Sequence, residues 1–244
     1  MIDLSFIRSF FPSSIANDSR FHRYMLKEYL QLLILDHLAK TPYVGKLVFI
    51  GGTNLRLVQG IDHFSEDLDF DCKDLNEEEF HNMTDGIVRM LNKNGLTVET
   101  RDKLLFDLGL TGYKEERFLI KVKAQDQGVS YSPEVATLNR MGFFFGIQMP
   151  PADVLCAMKF CAILSRQKGR DFYDAMFLLS KTRPNLEFLR ARTGIQSMEA
   201  LKTAIGECLQ KVDLNKKKQD FIHLLFNESN AERILQFESA ISDL

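Results

Sequence analysis

The stretch from Phe49 to Asp71 limits the fold more than any other part of the chain. It reads Phe49-Ile-Gly-Gly-Thr-Asn-Leu-Arg56 and, after a short gap, Ser65-Glu-Asp-Leu-Asp-Phe-Asp71. The pattern predicts a strand, a Gly-Gly turn, a short helix, a loop and a second strand. A strand points alternate side chains to one face. Asp67, Asp69 and Asp71 therefore project together from one side of a sheet. Like charges side by side repel, and a bound cation removes that cost. A helix starting at Thr53 aims backbone N–H groups at a nearby anion. A divalent metal beside a phosphate-binding turn is the pairing that nucleotide chemistry needs.

The flanks extend this core. Phe21, Tyr24, Met25, Leu32, Leu35 and Leu38 recur at helical steps and predict a helix over 20–39. Leu47-Val-Phe-Ile50 suits a buried strand. Thr53 to Gln59 reads as a helix closed by Gly60. Asp67 to Cys72 is the acidic strand, and Asn76 to Asn92 a helix. Further strands are expected over 97–100, 103–110, 117–124 and 141–148, with Gly112-Tyr-Lys-Glu115 as a hairpin loop. After Pro150-Pro151 the pattern is helical throughout, with breaks at Gly169, Pro184 and Gly194 and about five helices. The expected organisation is α+β over residues 1–149, followed by an all-helical domain over 150–244.

The chain has 244 residues, 45% hydrophobic and 26% charged, which is ordinary for a globular protein with a real core. Asp3 and Arg8 interrupt the N-terminus where a signal peptide needs an apolar run. The most apolar helical stretch, 29–39, is too short to cross a bilayer. A cytoplasmic protein with no membrane partner is expected. The cysteines at 72, 156, 161 and 208 lack metal-ligand spacing and read as small buried hydrophobes. Charge is uneven: residues 62–85 hold ten acids against Lys73, and residues 150–192 hold eight bases against four acids. These clusters fit solvated faces, or a metal-binding half and a phosphate-binding half.

Asp67 and Asp69, two residues apart on one strand, can share a Mg²⁺, which completes its shell with phosphate and water. An isolated Asp-x-Asp fits an exposed edge strand equally well. Gly51-Gly52-Thr53 at this spacing shifts the balance, because glycine lets backbone approach a phosphate closely, and Thr53 or Asn54 can cap the helix. Lys159 and Arg166 lie about 20° apart on one helix face and can clamp a triphosphate. Asp171 reads as a helix N-cap, with Asp174 three residues on as in a capping box; Asp174 also suits contact with a nucleotide or with Lys159.

These pieces in this order, from Gly-Gly-Thr through Phe64-Ser-Glu-Asp-Leu-Asp-Phe70 to Lys159 and Arg166-x-Lys-x-Arg-Asp-x-Tyr-Asp174, resemble the AbiEii/AbiGii-type nucleotidyltransferase toxins. The resemblance spans about residues 24–179. It implies a polymerase-β-like nucleotidyltransferase fold, a mixed sheet with flanking helices and a helical C-terminal domain. It also implies nucleotide transfer from an NTP with Mg²⁺, an acceptor such as tRNA or protein, and a cognate antitoxin or a role in phage defence. By resemblance, Gly52 and Thr53 hold phosphate, and Asp67 and Asp69 bind metal. Asp67, Asp69 and Lys159, which grips the nucleotide, are the candidate catalytic residues, and Gly51, Ser65, Arg166 and Asp174, the last in the C-terminal motif, join Gly52 and Thr53 in nucleotide binding. Two departures stand out. His63 replaces the usual Arg. Lys121 and Lys123 occupy the strand where an acidic residue is common, and a lysine beside two aspartates would partly replace a metal's charge.

The first expectation is therefore a metal-dependent nucleotidyltransferase. A degenerate domain that binds nucleotide or a protein partner is the rival. An RNA-binding protein is a weaker third, since no basic strand interleaved with aromatics is present.

Overall fold

The computed structural model describes residues 2–98, 111–113, 116–242 and 244. Three helices come first: α1 (Leu4–Arg8), α2 (Ser13–Ala16) and α3 (Ser19–Ala39). Only the third carries the periodic pattern that predicts a helix. Asp18 caps it by accepting the Arg20 N–H at 2.9 Å. Of its periodic positions, Phe21, Met25, Leu32, Leu35 and Leu38 are buried and Tyr24 is partly so.

Next follow β1 (Leu47–Ile50), α4 (Gly51–Asn54), β2 (Leu68–Cys72), α5 (Glu77–Lys93), β3 (Thr97–Val98), β4 (Thr111–Tyr113), β5 (Glu116–Phe118) and β6 (Val122–Ala124). A hairpin, β7 (Glu134–Arg140) and β8 (Phe143–Met149), completes the strands. β1 runs antiparallel to β2, and β2 runs parallel to β6, so the central sheet is mixed. Its register pairs Phe49 with Phe70, whose rings lie 5.6 Å apart, and Asp69 with Lys123. Burying each such phenylalanine stabilises the fold by roughly 1.5–3 kcal/mol. β3, β4 and β5 form a separate antiparallel sheet.

Several boundaries moved. The expected strand over 117–124 is two short strands in different sheets, β5 on β4 and β6 on β2. An unbroken alternation cannot reveal a change of partner. The strand expected over 103–110 lies outside the described residues, as do 99–100 and the hairpin-loop residues Lys114 and Glu115. The strand expected over 141–148 starts at Phe143, because Met141 and Gly142, with φ of 51° and 81°, form the two-residue turn of the β7–β8 hairpin. Asn76 and Glu79 form a full capping box at the start of α5. Three of the acids in the 62–85 cluster, Glu77, Glu78 and Glu79, thus occupy a helix first turn, where negative charge is favourable.

The rest is helical: α6 (Ala152–Arg166), α7 (Gly169–Leu179), α8 (Leu186–Thr193), α9 (Met198–Leu209), α10 (Leu214–Lys217) and α11 (Phe237–Ser242), with 3₁₀ turns between the last two. Six α-helices among the described residues replace the five expected. The α+β class with a mixed sheet and a helical C-terminal part is the one the sequence implies. The chain divides into two units by its contacts. The first comprises Met1–Gly60, Phe64–Gln127 and Pro133–Met149; the second comprises Ile61–His63, Gly128–Ser132 and Pro150–Leu244.

The helical unit packs on aromatic rings. Phe172 and Phe237 meet edge to face at 5.0 Å, and Tyr173 lies 5.2 Å from Phe221. Gly169, expected as a break, is instead the first residue of α7. A Cβ there would collide with the Lys217 carbonyl oxygen. Gly169→Ala is therefore expected to destabilise the unit by roughly 1–3 kcal/mol or more, since backbone cannot yield as a side chain does. Chemical denaturation checks this. Among the described residues, no helix is long and apolar enough to cross a membrane.

Candidate active site

The first group of candidate residues lies in the α+β unit. Chain direction reverses at Gly51, whose φ of 80° leads β1 directly into α4. The helix begins at Gly51 rather than at Thr53, and from Leu55 to Gln59 it widens into a π-helical turn closed by Gly60 at φ 81°. Such turns often accompany functional sites. Neither Thr53 nor Asn54 caps this helix. Both instead turn back to tie the strands. The Thr53 hydroxyl donates to the Asp67 carbonyl, and Asn54 Nδ2 donates to the Phe49 carbonyl at 2.8 Å. The first-turn N–H groups of the helix, from Gly51 to Thr53, have no acceptor within the helix itself.

Gly51 also sets how close the turn comes to β2. A Cβ at Gly51 would sit 2.6 Å from Asp69 Oδ2. Gly51→Ala combines this clash with a left-handed backbone, which alone costs about 1–2 kcal/mol. A thermal melt lowered by several degrees, on the order of 2–4 °C per kcal/mol for this size, is the expected readout.

Asp67 stands just before β2 and Asp69 within it, each about one-third exposed. The cation that balances them is Lys123. Its Nζ donates to Asp67 Oδ2 at 2.9 Å and lies 3.5 Å from Asp69 Oδ1. Burial works against the ammonium, but the two carboxylates outweigh it and hold Lys123 above the usual lysine range. Asp71, on the same face by alternation, is fully buried. It accepts the Gln127 N–H at 2.9 Å and pairs with Lys73 at 3.3 Å. Ser65 is buried, and its carbonyl accepts Gln31 Nε2 from α3 at 3.0 Å.

The helix after the turn is anchored by charge. Arg56 Nε donates to Glu28 Oε2 at 2.8 Å, and Arg140 Nη2 meets Glu28 Oε1 at 2.7 Å. Glu28 is 1% exposed, so each guanidinium is needed to offset its burial. Two carboxylates, Asp67 and Asp69, suit one Mg²⁺ that fills its remaining positions with phosphate and water. Among the described residues, no group of three or more His, Cys, Asp or Glu is gathered for a metal.

The second group lies in the helical unit. Lys159 and Arg166 do share a face of α6, and both reach Asp171. Arg166 grips it with two hydrogen bonds, at 2.8 and 2.7 Å, while Lys159 Nζ is 3.8 Å away. Asp171 is not the cap of α7. That position belongs to Lys168, which makes no side-chain cap bond. Asp171 is instead a buried acid inside the first turn, held by α6. Asp174 is no part of a capping box either. It is completely buried, with Lys159 Nζ 2.7 Å from Oδ2 and His63 Nε2 donating to Oδ1 at 2.7 Å. Burial pushes the Asp174 carboxyl up, but the Lys159 ammonium and His63 outweigh it and hold it well below the usual carboxylate range.

From the sequence, His63 stands out only as a replacement for Arg. Its partnership with Asp174 spans 111 residues and left no local signal. The neighbouring Asp62 is equally tied in, accepting the Tyr173 hydroxyl at 2.7 Å and Asn230 Nδ2 at 2.5 Å.

A turn-and-carboxylate arrangement on a mixed sheet, followed by helices, defines a nucleotidyltransferase-type fold. Comparison with known proteins agrees. The family described as nucleotidyl transferase AbiEii toxin, type IV TA system, matches residues 33–220. The chain belongs to this family, whose toxins work in pairs with a cognate antitoxin. Among solved structures, MenT4, a nucleotidyltransferase toxin from Mycobacterium tuberculosis H37Rv, is similar with a TM-score of 0.67 at 16% identity, covering 100% of this chain and 91% of that one. JHP933 from Helicobacter pylori is similar with a TM-score of 0.55 at 21% identity, covering 90% and 92%. At these identities the likeness is one of fold. No curated protein matches the chain by sequence.

Proposed function

We propose that this chain is a divalent-metal-dependent nucleotidyltransferase that moves a nucleotide from an NTP to an acceptor hydroxyl, acting as the toxin of a toxin–antitoxin or phage-defence pair. The observation that carries the reading is Asp69 set directly against the Gly51 turn, its Oδ2 on the turn side, with Asp67 tied to α4 through the Thr53 hydroxyl on its carbonyl.

In this reading the acceptor hydroxyl attacks the α-phosphate, the bond to the β-phosphate breaks, and pyrophosphate leaves. Asp67 and Asp69 hold Mg²⁺, which when bound neutralises charge on the phosphates. The backbone of Gly51, Gly52 and Thr53 receives phosphate oxygens, and Ser65 takes part in nucleotide binding. In the helical unit, Lys159, Arg166 and Asp174 take the nucleotide-contacting roles. Lys159 grips phosphate as that phosphate competes with Asp174 for its ammonium, and Arg166, half exposed, offers guanidinium to the charge that develops. A tRNA or a protein serves as acceptor, in the cytoplasm.

The second reading, a domain that binds nucleotide or a protein partner without transfer, is favoured by one observation: Lys123 already balances the two aspartates. Calorimetric titration with each NTP, with and without Mg²⁺, separates the two when pyrophosphate is assayed in parallel. Metal-dependent binding with pyrophosphate release supports the enzyme. Binding indifferent to metal, with no pyrophosphate, supports the binding domain.

A further inference from the structure

We propose that the Lys123 ammonium is a resident cation that fills one of two positive-charge positions beside Asp67 and Asp69, so that the site takes up a single divalent ion with its nucleotide. The inference rests on the nucleotidyltransferase reading above and specifies its metal requirement.

The sheet register fixes Lys123 where it is. Asp69 and Lys123 are direct partners across the parallel β2–β6 pair. Lys123 Nζ is 2.9 Å from Asp67 Oδ2 and 3.5 Å from Asp69 Oδ1. The two oxygens of Asp69 face different surroundings. Oδ1 is the one near Lys123, whereas Oδ2 is the one a Cβ at Gly51 would touch. Lys123 thus holds one side of the carboxylate pair, and the side towards the phosphate turn is left for an ion shared with phosphate.

Charge and donor count agree. The pair carries two negative charges, of which Lys123 balances one. One divalent ion shared with phosphates balances the other, while a second would crowd a third positive group against the same two acids. Paired metal ions sit about 3.5–4 Å apart and need bridging and flanking carboxylates. Asp71, the acid nearest in sequence on this face, already binds the Gln127 N–H and Lys73.

The test counts ions in the full chain by electron paramagnetic resonance, using Mn²⁺ with an NTP analogue whose α–β bridge cannot be cleaved. One Mn²⁺ per chain is expected for the wild type and two for Lys123→Asp. Without nucleotide, Lys123→Ala should bind Mn²⁺ roughly tenfold more tightly, because the ammonium no longer competes for the carboxylates. Circular dichroism checks that each variant is folded, and Lys123→Gln repeats the affinity measurement with a side chain of similar size in case the alanine variant is not. Two ions in the wild type, or unchanged Mn²⁺ affinity in Lys123→Ala and Lys123→Gln, would overturn the proposal while leaving the nucleotidyltransferase reading intact. A wild-type chain that binds the analogue but no Mn²⁺ would overturn both.

Discussion

On the proposed function, Asp69→Asn is expected to reduce nucleotide transfer by on the order of 10³-fold or more, since it removes one of the two carboxylates proposed to hold the metal. The fold should survive. Asparagine has nearly the same shape, Asp69 is about one-third exposed, and its partner Lys123 is nearly half exposed. An ion pair so placed contributes little, about 0–1 kcal/mol. The expected variant therefore melts within a few degrees of the wild type but fails to label any acceptor. Transfer that persists in a folded Asp69→Asn protein would remove Asp69 from the metal site.

Lys159→Ala should behave in the opposite way and destabilise the helical unit by roughly 3–5 kcal/mol. Lys159 is 7% exposed in its side chain and faces two buried carboxylates, Asp174 at 2.7 Å and Asp171 at 3.8 Å. Removing it takes from Asp174 its nearest cation, leaving His63 and the Arg170 charge, and leaves Asp171 with its Arg166 pair. The sign with pH follows. The Asp174 carboxyl is held below its usual range, so its contribution is fully present above the unfolded pKa of about 3.9 and is lost as pH falls through the lower folded value. Lys159→Ala shrinks that contribution, so its deficit should be full at neutral pH and narrow towards strong acid. Urea denaturation across pH reads this directly. A variant as stable as the wild type at pH 7 would mean that the ammonium is not committed to the acids. For the same reason, lost activity in Lys159→Ala must be weighed against lost fold before the residue is named catalytic.

Much of the α+β unit was legible. β1, the Gly-Gly turn, the Gly60 cap, β2 and α5 follow from local patterns: an apolar run, a left-handed glycine and a capping box. β7 was missed because most of its residues are exposed, Val135 at 73%, so no apolar run marks it. Its pairing partner β8 and the Met141-Gly142 turn define it instead. The split of 117–124 was hidden because partner choice is a tertiary matter.

At the candidate site, Asp67 and Asp69 share a face as the strand period required. The lysine expected to lie beside them does so: Lys123 reaches Asp67 across 56 residues. Asp171 was misplaced because Asp-x-x-Asp satisfies a capping pattern without being one. What decided its role was Arg166, five residues earlier on α6. The pairing of His63 with Asp174 had no sequence signal at all.

The central claim, nucleotidyl transfer at Asp67 and Asp69, is tested most directly by the fate of the label in an NTP. The protein is incubated with Mg²⁺, a mixed RNA and protein acceptor pool, and each NTP labelled at either the α- or the γ-phosphate. The account predicts that α-label enters an acceptor, γ-label appears only in pyrophosphate, and both signals vanish in Asp69→Asn. No transfer from any α-labelled NTP, or transfer of γ-label, would contradict it.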